Sequence, residues 1–76
     1  MKIKVFAVLK DFFEEQHEVN NLKTIEDVKQ YLAIVNPSAV PVLERSRFAI
    51  KDSFVSLNTV ISSNDVIYVM PPSSGG

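Results

Sequence analysis

The residues of this chain best suited to covalent chemistry are its last two, Gly75 and Gly76. Read as the chain end, Gly76 is expected to carry a free carboxylate, ionised at neutral pH because an α-carboxyl titrates near ~3.5. No side chain crowds it. A carboxylate is a poor acyl donor until another enzyme gives it a leaving group, and then it is a good one. Pro71, Pro72, Ser73, Ser74 and Gly75 lead up to it. Proline has no backbone N–H and fixes φ, so residues 71–76 are expected to leave the domain as an extended, stiff arm. The glycines would let that arm pass through a narrow slot. They are the only 2 glycines of the chain. A chain using glycine for turns would have spread them, so a frayed terminus or an expression remnant is the weaker reading.

Nothing else offers comparable chemistry. There is no cysteine, hence no disulfide, thiolate metal site or cysteine nucleophile. His17 is the single histidine and has no companions at ligand or general-base spacing, so it is expected to be an exposed strand residue. The serines, Ser62, Ser63, Ser73 and Ser74 included, lack a recognisable base and orienter. No glycine-rich loop could cradle a phosphate. Eight Lys and Arg against nine Asp and Glu give a net charge of -1, which makes no electrostatic case for nucleic acid. No stretch approaches a membrane span. Met1-Lys2-Ile3-Lys4 lacks the long uninterrupted apolar run of a signal peptide, and cytoplasmic residence is expected.

The elements that must position the tail follow from periodicity. The chain has 76 residues, enough for one small domain, here 1–70 with the tail at 71–76. Residues 2–9 alternate, with Ile3, Val5, Ala7 and Leu9 toward a core and Lys2, Lys4, Phe6 and Val8 away from it. Residues 10–15 are a connection with Phe12 or Phe13 folded back, and 16–22 a second strand with a turn or bulge at Asn20-Asn21. Residues 23–35 predict a helix: Thr24 caps it, Asp27 completes a variant capping box, and Ile25, Val28, Leu32 and Val35 form a stripe widened by Ala33 and Ile34. Asn36-Pro37 stops it. Residues 38–44 read as a short helix or 3₁₀ turn, 45–50 as a third strand with Phe48 and Ile50 on one face, and Lys51-Asp52 as a turn. Residues 54–56 form a short strand and 57–61 an irregular segment. Ser62-Ser63-Asn64-Asp65 make a tight turn in which Asn64 suits the left-handed conformation. Residues 66–70 are a nearly continuous apolar strand, expected at the sheet centre. One helix on a small mixed sheet of four to five strands is an α+β arrangement, with the first and last strands adjacent and parallel.

Three stretches give a resemblance. Phe6-Ala7-Val8-Leu9-Lys10-Asp11, Thr24-Ile25-Glu26-Asp27-Val28, and the last third from Ala49 through Phe54, Val55, Asn64-Asp65 and Pro71-Pro72 to Gly75-Gly76 resemble the small subunit of molybdopterin synthase. That family, also described as subunit 1 of the molybdopterin-converting factor, consists of sulfur carriers with the ubiquitin-like β-grasp fold. The likeness extends over nearly the whole chain. Pro-Pro-x-x-Gly-Gly after a final apolar strand is its most specific part. The chain departs from the family at Asn64, where glycine is usual, at Lys51, where asparagine is common, and at Met70, where phenylalanine is frequent.

The resemblance implies a carrier cycle. An adenylyltransferase of the ubiquitin-activating type would use ATP and magnesium to adenylate Gly76, and sulfur transfer would give a Gly76 thiocarboxylate. The tail would enter the large synthase subunit, which would build the dithiolene of molybdopterin from cyclic pyranopterin monophosphate. The small subunit would deliver sulfur without binding a cofactor or metal, and catalytic residues would lie on the large subunit. A monomer in isolation and a heterotetramer built on two large subunits are expected. Three alternatives stay open: a sulfur carrier for thiamine biosynthesis, a ubiquitin-like modifier of lysines, and a β-grasp interaction module with an inert tail. Pro71-Pro72 modestly favours molybdopterin. The docking surface follows from parity. If Ile67 and Val69 are core, Tyr68 and Met70 face the open side, where Phe6 and Phe54 could join them as an apolar patch beside the tail.

Overall fold

A computed structural model describes residues 1–72. Its strands are β1 (Lys2–Val5), β2 (Gln16–Glu18), β3 (Arg47–Ile50), β4 (Ser53–Val55) and β5 (Val66–Met70), and its helices α1 (Ile25–Val35) and α2 (Val40–Leu43). Short 3₁₀ helices cover Ala7–Asp11 and Pro37–Ala39. The strands form one mixed sheet in the order β2-β1-β5-β3-β4. The last strand lies at the centre, parallel to β1 and antiparallel to β3. This is the expected α+β, β-grasp architecture. No helix among the described residues is long and apolar enough to cross a membrane.

An isolated helix of 11 residues would be marginal, so α1 depends on its cap and on its apolar stripe. The Thr24 hydroxyl accepts the Asp27 N–H at 3.3 Å. The Asp27 carboxylate accepts the N–H groups of Lys23 at 2.9 Å and Thr24 at 3.2 Å. These bonds, that from the Lys23 N–H foremost, hold the Asp27 carboxyl below the ordinary carboxylate range. Ile25, Val28 and Leu32 are fully buried against Ile3, Val5, Ile67 and Val69. Each such side chain contributes about 1.5–3 kcal/mol on burial, which clamps the helix across β1 and β5.

Several local expectations are corrected. The first strand ends at Val5, because Ala7 takes a left-handed φ of 54° and breaks the alternation. Ala7 is therefore exposed, while Leu9 reaches the core from the 3₁₀ helix. Phe13 is buried and Phe12 packs at the core's edge. The second strand stops at Glu18, and Asn21, at φ 70°, turns the chain toward α1. Val35 and Ile34 are exposed in the last turn of α1, and Ala39 and Leu43 from the segment that follows are buried in the core instead. Asn64 has no left-handed backbone. Its turn is closed by the Asp65 carboxylate, which accepts the Ser62 N–H at 2.7 Å, and by the Asp65 N–H donating to the Ser62 carbonyl at 3.1 Å. Lys51 takes the left-handed conformation instead, at φ 57° in the β3–β4 hairpin. His17 is half-buried rather than exposed. Its ring meets Phe13 and Tyr31 edge-on at 6.0 Å each, Nδ1 lies 3.5 Å from the Tyr31 hydroxyl, and Nε2 has no partner among the described residues.

Candidate functional site

The site is built outward from β5. Strand side chains alternate between faces. Ile67 and Val69 point to α1 and are fully buried, which turns Tyr68 and Met70 to the opposite, helix-free face. Register extends that face sideways. Lys4 of β1 and Ala49 of β3 flank Tyr68, and Phe54 of β4 lies opposite Ala49. One line across the sheet thus reads Gln16, Lys4, Tyr68, Ala49, Phe54. A second pairs Met70 with Arg47.

All four expected surface residues fall on this open face. Phe6 is 37% exposed, and its ring lies 5.9 Å from that of Tyr68, tilted by 31°. Left-handed Ala7 turns the chain away just beyond Phe6 and so ends the strand there. Phe54 is 56% exposed on the edge strand. Tyr68 and Met70 are half-buried. Offset aromatic pairs and a flexible thioether present apolar area of the kind that partners bury.

Sequence reasoning did not single out Arg47 or Ala49. The Arg47 guanidinium carbon sits 4.7 Å from the centre of the Phe54 ring, a cation–π contact. Ala49 is only 5% exposed, walled in on the open face by its neighbours. Parity along β3 puts both opposite to Phe48 and Ile50, but only the register of the sheet shows what lies beside them.

The tail root stands at the edge of this face. Pro71 and Pro72, both half-buried and without regular structure, follow Met70 directly, beside Arg47. Ser73, Ser74, Gly75 and Gly76 lie outside the described residues. Among the described residues no group of three or more His, Cys, Asp or Glu could hold a metal ion. Ser62 meets Asp65 through its backbone N–H and carbonyl, not through its hydroxyl. A depression of about 210 Å³ next to Tyr68, lined by Ile50, Lys51, Asn64, Asp65 and Val66, lies toward the end of β5 away from the tail. The chemistry of the described residues is therefore that of a surface: apolar rings, a stacked guanidinium, and an arm leaving at the rim.

Comparison with known proteins gives this arrangement a context. The crystal structure of SAMP1 from Haloferax volcanii superposes with a TM-score of 0.82 at 20% sequence identity, covering 99% of this chain and 97% of that one. At that identity the likeness establishes the shared fold. A search of curated proteins found no match. The sequence model of the ThiS family matches residues 3–76, from the first strand through the terminal glycines. This chain belongs to the ThiS family of ubiquitin-like sulfur carriers.

Proposed function

We propose that this protein carries sulfur as a thiocarboxylate on Gly76 and delivers it for molybdopterin formation. The Gly76 carboxylate attacks the α-phosphorus of ATP on an activating enzyme, with magnesium, and pyrophosphate leaves. A sulfur nucleophile then displaces AMP from the acyl carbon. The tail enters the large synthase subunit, which uses the sulfur to build a dithiolene on cyclic pyranopterin monophosphate. Hydrolysis of the acyl group returns the carboxylate. Pro71, Pro72, Ser73, Ser74 and Gly75 thread the reactive end, while Phe6, Phe54, Tyr68 and Met70 dock the domain. The carrier sits at either end of a heterotetramer centred on two large subunits.

The observation that carries this reading is the tail root at the end of the central strand, beside a face where all four apolar side chains gather. A docked domain would then fix where the arm begins. Family membership supports the sulfur chemistry. Pro71-Pro72 and the three resembling stretches support the molybdopterin branch.

The test is intact-protein mass after incubation with activating enzyme, ATP and a sulfur donor, followed by fragmentation. Replacement of one oxygen by sulfur at Gly76 is expected, and deletion of Gly75-Gly76 should abolish it. An unchanged mass beside a control carrier that is converted would refute the carrier reading. The loaded protein is next offered to a large synthase subunit with cyclic pyranopterin monophosphate. Sulfur transfer supports the molybdopterin branch. Transfer only to a thiazole-forming system would move the protein to thiamine biosynthesis.

A further inference from the structure

Charge is unevenly spread over this molecule. The strands of the open face carry Lys2, Lys4 and Arg47 against one carboxylate, Glu18, while Lys51 and Asp65 beside Tyr68 offset each other, a local balance of two positive charges in a chain whose net charge is -1. Everything else therefore carries three net negative charges. Glu18 lies opposite Lys2 at the outer edge, on β2. The cations beside the apolar patch have no carboxylate across from them: Lys4 faces Gln16 and Tyr68, and Arg47 faces Met70. Among the described residues the one ion pair is Lys29 with Glu44; it borders the same depression at the β3–β4 edge as Arg47 and Phe54, and there Glu44 is already matched by Lys29. Arg47 is exposed and rests on the Phe54 ring. Stacking holds the guanidinium plane and leaves its edge, a fork of N–H donors, open to a carboxylate.

We propose that Arg47 receives a carboxylate on the activating enzyme, whose docking surface is apolar at its centre and acidic around it. Lys4 and Lys2 extend the field that draws this surface in. The inference rests on the carrier reading, and the same reading gives it direction. The tail ends in an anion bound for a site that also takes ATP and magnesium, whereas the domain face is positive. Opposite signs at the two ends favour one docking orientation and disfavour the reverse.

The test is ATP–pyrophosphate exchange by the cognate activating enzyme, with the full-length carrier varied in concentration. Arg47→Glu should raise the KM for carrier on the order of tenfold or more, with kcat unchanged. Arg47→Lys should fall between, because it keeps the charge and loses the fork. Lys23→Glu, an equal change of net charge beside the helix, should leave KM as it is. Added salt should raise the wild-type KM and affect Arg47→Glu little, a signature that a merely structural Arg47 would not give. Melting temperatures confirm that each variant is folded. Wild-type exchange with an unchanged KM in Arg47→Glu at low salt would overturn this inference and leave the carrier reading standing. No exchange with the wild type, beside an active control carrier, would overturn both.

Discussion

Phe48 and Phe54 lie six residues apart on neighbouring strands and should respond to truncation in opposite ways. Phe48 is 3% exposed, belongs to the core cluster and pairs with Val55. Cutting it to alanine removes buried area and leaves a cavity, a loss of about 3–5 kcal/mol. A chain of 76 residues has a total stability of about 4–11 kcal/mol. Phe48→Ala should therefore lower the melting temperature by about 10–40 °C and leave a partly unfolded protein. Phe54 is 56% exposed, and among the described residues its one aromatic or cation–π contact is with Arg47. That contact contributes about 0.5–1 kcal/mol at an exposed site, so Phe54→Ala should lower stability by about 1 kcal/mol. Its larger effect should be on docking, because it removes an apolar side chain from the patch and the platform that orients Arg47. Urea unfolding followed by circular dichroism gives the stabilities, and exchange kinetics with the activating enzyme give the KM for carrier. Equal destabilisation by the two substitutions would refute the assignment of faces. An unchanged KM for a folded Phe54→Ala would refute the docking role.

Two further predictions concern the backbone around the site. Ala7 holds a left-handed φ of 54° without being glycine. Ala7→Gly should relieve that strain and raise stability by about 0.5–1 kcal/mol, seen as a melting temperature higher by a few degrees; a decrease would mean that the turn beyond Phe6 depends on the alanine side chain. Asp27 is held below the ordinary carboxylate range by N–H groups of the helix start. A depressed carboxyl stabilises the fold above its unfolded-state value and loses that contribution as pH falls through its folded value. Melting curves of wild type and Asp27→Asn should thus differ most near neutral pH and converge on acidification; a difference that grows toward low pH would refute the sign.

The architecture was legible wherever one residue type at one spacing had a single physical outcome. Thr24 and Asp27 could only be a cap followed by its reciprocal acceptor, and the structure has both bonds. Val66–Met70 was apolar enough to require burial on one whole face and partial cover on the other, which places a strand at the centre of a small sheet. The misreadings come from patterns carried too far. Ala7 was assigned to the core stripe although the backbone turns there, and Ile34 and Val35 because the apolar stripe was continued into the last turn of α1, where neither is buried. Alanine at φ 54° leaves no trace in an alternating pattern, since it matches the expected residue type while breaking the expected geometry. The left-handed positions went to Ala7, Asn21 and Lys51 and not to Asn64, because an aspartate at the end of that turn could close it by side chain alone.

The site was legible in a different measure. Parity along β5 placed Tyr68 and Met70 correctly, and it needed only the knowledge that Ile67 and Val69 were core. Phe6 and Phe54 required two more strands to be set in register, which a sequence does not display. Arg47 was missed for a related reason. A lone arginine at a strand start is unremarkable until β3 is laid against β5 and β4, when it falls between Met70 and Phe54 at the root of the tail. His17 shows the converse. It looked like a solvated strand residue because β2 is short and polar, yet Phe13 from one side and Tyr31 from α1 close over its ring. In each case the missing information was which strand or helix lies alongside, and that is set by the collective burial of Ile3, Val5, Leu32, Ile67 and Val69. Residues that touch only their own element could be read directly, whereas residues whose meaning depends on a neighbour had to wait for the sheet.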